Sequence, residues 1–146
     1  MTMISSVWLP GSAGDETTGA SYDRSEMTAF DVLARDALDV RETPYGSVGV
    51  LHASPDLCAW WIWKDHEDVD PEWKINSRDD FLYVVQGTLK LELRDAGDFV
   101  LEAGDSFVIA AGAAFRGYRW LRESEEPCLF IAVSPGDVET TSAPVR

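Results

Sequence analysis

Residues Lys74–Gly87 read KINSRDDFLYVVQG, and TLKLEL follows directly at Thr88–Leu93. The segment from Phe81 is a strand that runs into a turn at Gly87, and Thr88–Leu93 is the strand that leaves it. Leu82 and Val84 share a face with Asp80, while Phe81, Tyr83 and Val85 point the opposite way. Lys74 and Asn76, two apart, share a side, and Asp80 can join them from the next strand.

Similar runs extend outward in both directions. Ser47–His52, Cys58–Lys64, Asp98–Leu101, Ser106–Ala110, Phe115–Leu121 and Cys128–Val133 are strand-like, with turn signals at Pro55, Asp70-Pro71, Ala96-Gly97, Gly104-Asp105, Gly112 and Glu126-Pro127. Eight short strands at such spacing, with no repeat among them, predict one all-β sandwich or barrel. The expected domain spans residues 44–135. Residues 1–43 are expected to form an N-terminal arm and a short helix, and residues 136–146 a C-terminal tail. Pro10–Ser25 is rich in Gly, Ser, Thr and Asp and is expected to be a flexible arm or loop. The helix is expected near residues 28–39, where Thr28 and Asp31 have capping-box spacing. Phe30, Leu33, Ala34, Ala37 and Leu38 recur there at helical intervals, giving a stripe to pack on the main domain.

Two segments together resemble the cupin superfamily, a jelly-roll β-barrel with two short signatures. In the first, Gly87 matches the closing glycine, Asp80 stands at the glutamate place, and Lys74 and Asn76 stand at the two histidine places. In the second, LEAGDSFVIAAG at Leu101–Gly112 supplies the opening Gly104-Asp105 and the later Gly112, with Ala110 at the proline place and Phe115 at the histidine place. The resemblance covers roughly residues 45–135 and implies the fold. The family's metal site does not carry over, because its histidines are replaced and its glutamate is shortened to Asp80. First-row metals prefer imidazole, thiolate or several carboxylates, and this cluster offers one carboxylate, one amide and a repelling ammonium. No metal and no other cofactor is therefore expected.

Lys74 then stands where a divalent cation would be, and a buried Lys74–Asp80 couple in which each supplies the other's countercharge is the natural expectation. Alternation from Phe115 brings Gly117 and Arg119 to the same side, so a second cation is expected at the cavity or its mouth. The candidate catalytic residues are Asp80 and Lys74. Asn76, Phe115, Arg119, Leu82, Trp61 and Trp63 are the candidate ligand-binding residues. In CAWWIWK, Cys58–Lys64, Trp61 and Trp63 share one face and Trp60 and Ile62 the other, which leaves open which face lines the cavity. Strands apolar on both faces need an outer cover, either the N-terminal helix or a second subunit. The resemblance implies the latter, since cupins are commonly dimers.

The net charge of −14 is spread along the chain and argues against nucleic acid and anionic membrane surfaces as partners. No apolar run approaches the roughly 18 residues of a membrane span. Cys58 and Cys128 lie in strand-like runs and read as reduced thiols, so a cytoplasmic protein is expected. Three functions fit. One is a metal-independent isomerase, epimerase or cyclase acting on a small polar or anionic metabolite, with Asp80 as base, Lys74 stabilising an oxyanion and Asn76 orienting the substrate. The second is a non-catalytic module binding such a molecule. The third is a metal dioxygenase recruiting His52 or His66, the reading most opposed by the substitutions.

Overall fold

The computed structural model of this chain describes residues 30–119 and 126–143, and Ala34–Arg146 form one compact unit. The fold is all-β, a jelly roll of two antiparallel sheets. The strands are β1 (Val40–Thr43), β2 (Gly46–Ala53), β3 (Cys58–Lys64), β4 (Trp73–Asn76), β5 (Asp80–Gln86), β6 (Thr88–Leu93), β7 (Gly97–Glu102), β8 (Ser106–Ile109), β9 (Ala114–Arg119), β10 (Cys128–Ser134) and β11 (Thr140–Ala143). Six of them form one sheet in the order β1-β2-β3-β10-β5-β8, and the other five form the second in the order β11-β4-β9-β6-β7.

Side-chain alternation fills the space between the sheets. Leu82 and Val84 of β5, Leu89 and Leu91 of β6, and Phe130 and Ala132 of β10 meet Leu101, Ile109 and Cys128 in one buried cluster. Val84 and Cys128 have no exposed surface. The β5–β6 turn needs glycine for two separate reasons. Gly87 has φ +75°, and a Cβ there would lie 2.5 Å from the carbonyl oxygen of Pro127.

Three strands lie outside the eight expected: β1, β4 and β11. Of these, β1 and β11 also fall outside residues 44–135, so both the expected arm and the expected tail contribute a strand to the sheets. The expected helix is reduced to a single 3-10 turn at Arg35–Ala37, flanked by extended Ala34 and Leu38 with no side-chain cap. Pairing of Val40–Thr43 with Gly46–Gly49 claims the end of that stretch for the sheet. Leu38 instead lies over Gly49, so closely that a Cβ there would sit 2.8 Å from its side chain. Thr28, the arm at Pro10–Ser25, and Trp120 and Leu121 of the expected Phe115–Leu121 strand lie outside the described residues.

Candidate functional site

Strand β4 reads WKIN and sends Lys74 and Asn76 to its inner face. Lys74 stands directly across from Phe115 of β9, so two of the positions named from the sequence are register partners. Asn76 ends β4 and Asp80 opens β5 in the opposite sheet, and a short corner at 77–79 brings the two together. Asn76 Nδ2 donates to Asp80 Oδ2 at 3.2 Å, and Asn76 Oδ1 accepts from the Thr140 hydroxyl at 2.6 Å. The Gly112 N–H donates to the Asn76 carbonyl at 2.9 Å. Asn76 is thus buried and held from both sides, and it orients Asp80.

These residues line a cavity of about 380 Å³, within the usual range for small-molecule sites. Its wall is mostly apolar, with Val48, Trp60, Ile62, Leu91, Phe115 and Phe130 contributing. The Asp80 carboxyl is pushed up to about 6, because burial penalises its charged form and the Asn76 hydrogen bond only partly offsets this. Among the described residues neither Asp80 nor Lys74 makes an ion pair within 4.0 Å. The Lys74 ammonium sits 3.9 Å from the centroid of the Tyr45 ring, a cation–π contact. The Tyr45 hydroxyl in turn donates to Glu72 at 3.3 Å.

The expected Lys74–Asp80 couple is therefore replaced by a different one. Lys64 Nζ meets Asp70 Oδ1 at 2.8 Å, with the two side chains only 4% and 8% exposed. Lys64 also donates to the Tyr45 carbonyl, and Asp70 Oδ2 accepts the Gly117 N–H at 3.0 Å. Both line the cavity. Inner-face alternation through Cys58, Trp60 and Ile62 reaches Lys64 as the last residue of β3. An ammonium stranded at that point needs a carboxylate, and the loop before β4 supplies Asp70.

Of the candidate ligand-binding residues, Asn76, Leu82 and Phe115 line the cavity and the other three do not. Trp61 and Trp63 occupy the outer face of β3, stacked with centroids 5.9 Å apart, and the Arg35 guanidinium lies 4.5 Å from the Trp61 ring centroid. The inner parity of β3 belongs to Trp60 and Ile62. Arg119 reaches away from the cavity to the Glu126 carbonyl at 3.5 Å. Tyr45, Lys64, Asp70 and Thr140 are site residues that the sequence reading missed. For Lys64 the signal was present, since it shares the parity of Trp60 and Ile62. For Asp70, in an irregular loop, and Thr140, in the expected tail, no periodicity marks them.

The donors here do not suit a family-type metal. One carboxylate, an amide already engaged on both its atoms, an ammonium and a phenyl ring occupy the ligand positions. Neither histidine lines the cavity, His52 being exposed on β2 and His66 lying in the loop after β3.

Residues 61–134 match the family model described as Cupin domain, and the chain belongs to that family. No curated protein matches the chain. Among solved structures it is similar to KdgF from Halomonas sp., at 23% identity over 70% of this chain and 92% of that one, with a TM-score of 0.56. It is also similar to the polyketide cyclase RemF from Streptomyces resistomycificus, at 13% identity over 81% and 88% of the two chains and a TM-score of 0.68. A third is a cupin-superfamily sugar phosphate isomerase from Silicibacter pomeroyi, at 16% identity over 79% and 83% and a TM-score of 0.64. At these identities the likeness concerns the fold.

Proposed function

We propose that this cupin binds a small molecule in its barrel cavity and moves a proton on it without a metal, as an isomerase, epimerase or cyclase would. The observation that carries the reading is Asp80, a carboxyl in a mostly apolar cavity with no ion-pair partner among the described residues. A carboxyl that titrates near 6 is half-way between acid and base close to neutral pH, which suits removal and return of a proton. Lys74, whose ammonium rests on a ring face, keeps N–H donors available for a developing enolate oxygen. Asn76 fixes the carboxyl in place.

The test is solvent exchange. Carbonyl compounds with an acidic C–H, incubated in D2O with the protein, should lose that proton signal in NMR faster than in its absence, and EDTA should leave the rate unchanged. Exchange that EDTA abolishes would return the metal reading. Saturated hydrogen bonding at Asn76 and around Lys64–Asp70 favours a second reading, a binder without chemistry. Tight binding with no exchange of the bound compound would select it.

Self-association is part of the proposal. Arg35 and Leu38 cover the β2–β3 end of the outer sheet face. At the other end Phe81, Tyr83 and Val85 of β5 and Val108 of the edge strand β8 are 42–54% exposed, with Phe81 and Val108 in register. Such a contiguous apolar strip suits a second copy of the chain. Light scattering at micromolar concentration should give about twice the chain mass of 16.2 kDa, reverting toward a monomer in Tyr83→Lys. A wild-type monomer would refute it. Among the described residues both cysteines are free and no helix is long and apolar enough to cross a membrane. Free thiols suit the reducing cytoplasm, where we place the protein.

A further inference from the structure

The geometry points to a ligand class for this cavity: a carbonyl acid with an apolar aryl or branched alkyl body, and not a carbohydrate. The inference builds on the role proposed for Asp80 and concerns what Asp80 would act on. The polar groups of the wall that remain available to a ligand decide it.

Lys64 and Asp70 are taken up by each other, by the Tyr45 carbonyl and by the Gly117 N–H. Both polar atoms of the Asn76 side chain are engaged by Asp80 and Thr140, and Tyr45 donates its hydroxyl to Glu72. Thr43 and Thr140 donate their hydroxyls to the Gly46 carbonyl and to Asn76, so what is left for recognition is chiefly one ammonium, Lys74, one carboxyl, Asp80, and the single hydroxyl of Ser134. A sugar carries a hydroxyl on nearly every carbon, and each would have to leave water for a wall of Val48, Trp60, Ile62, Leu91, Phe115 and Phe130 that offers it no partner. An aryl or branched alkyl body loses nothing by that transfer and gains contact with the ring faces.

The head of the ligand follows from Lys74 and Asp80. Lys74 and Asn76 are two residues apart on β4, so their backbones lie about 7 Å apart along the strand, and the Asp80 carboxyl is held against the Asn76 amide. That span accommodates a carboxylate or enolisable carbonyl oxygen against Lys74 and the adjacent C–H against Asp80. In the proton step Asp80 takes the hydrogen from carbon, the C–H electron pair becomes the C=C bond of the enolate, and the negative charge rests on the oxygen facing Lys74. Return of the same proton to carbon restores both groups, and no oxidant or co-reactant is consumed.

The test is calorimetric titration of the full chain near pH 7 with two sets of probes. The first set is 2-oxo-4-phenylbutanoate, 4-methyl-2-oxopentanoate and 3-phenylpropanoate, and the second is glucose 6-phosphate and galacturonate. At least one of the first set should bind saturably and neither of the second. Lys74→Met should weaken that binding by about tenfold or more, and Lys74→Arg, which keeps the charge, should largely preserve it. Binding of either sugar probe as tight as the best apolar acid, no binding by any apolar acid, or undiminished affinity in a folded Lys74→Met variant would each overturn the assignment. Apolar 2-oxo acids that bind but do not exchange would leave the ligand class standing and remove the proton-transfer function. Proton exchange on a sugar probe would do the reverse.

Discussion

Lys64→Met is expected to lower the unfolding free energy by about 3–5 kcal/mol, the usual cost of removing one partner from a buried ion pair. Asp70 would stay behind in a nearly dry site, keeping only the Gly117 N–H, and the Tyr45 carbonyl would lose its donor as well. Adding Asp70→Asn should recover a good part of the loss, because the amide oxygen can still accept from Gly117 while no unpaired charge remains. Lys74→Met should cost only about 1 kcal/mol, since its ammonium gives up a single cation–π contact. Urea titration of the four proteins checks the ordering. Equal losses for the two lysines would mean that the Lys64–Asp70 pair carries no special weight in the fold.

Asp80→Asn should reduce proton exchange by about 10²–10⁴-fold, the range set by loss of a positioned acid–base group. Stability should move the other way. The Asp80 carboxyl is raised from an ordinary value of 3.8 to about 6 in the folded chain. The folded state therefore holds this proton more tightly than the unfolded state does. That advantage is present below the ordinary value, fades as pH climbs from about 4 through about 6, and is absent at neutral pH. An uncharged Asn does not lose it. The variant should match wild type near pH 3 and exceed it near pH 7 by on the order of 2 kcal/mol, allowing for residual solvent contact at the carboxyl. A more stable protein that has lost exchange separates chemistry from folding. Exchange that survives the substitution would take Asp80 out of the mechanism.

How far the sequence could be read depended on where period-2 alternation was visible. Runs of six or seven residues such as Thr88–Leu93 and Cys128–Ser134 show it plainly, and the glycine at 87 is forced by its turn, so the core strands and the family signatures were legible. Whereas Ser106–Ile109, equally short, is marked by the second signature, the four-residue strands Val40–Thr43, Trp73–Asn76 and Thr140–Ala143 show no clear period of their own. Their place is fixed by pairing with partners distant in sequence, such as Thr140 with Asn76. The tryptophans of β3 illustrate another limit. A strand apolar on both faces does not declare its inner face, and here the inner face is the one that ends in Lys64. Lys74 and Asp80 were found because the signatures mark their positions. Their lack of mutual pairing depends on side-chain reach and on the Tyr45 ring, which alternation does not encode.

The central claim is that Asp80 is a partly buried carboxyl with no ion-pair partner among the described residues, poised near neutrality. Its most direct test is a pH titration of the 13C carboxyl resonance of Asp80 by NMR, assigned by its disappearance in Asp80→Asn. The account predicts a midpoint of about 6. A midpoint near 4 would contradict it, because it would mean that water or a cation already stabilises the carboxylate.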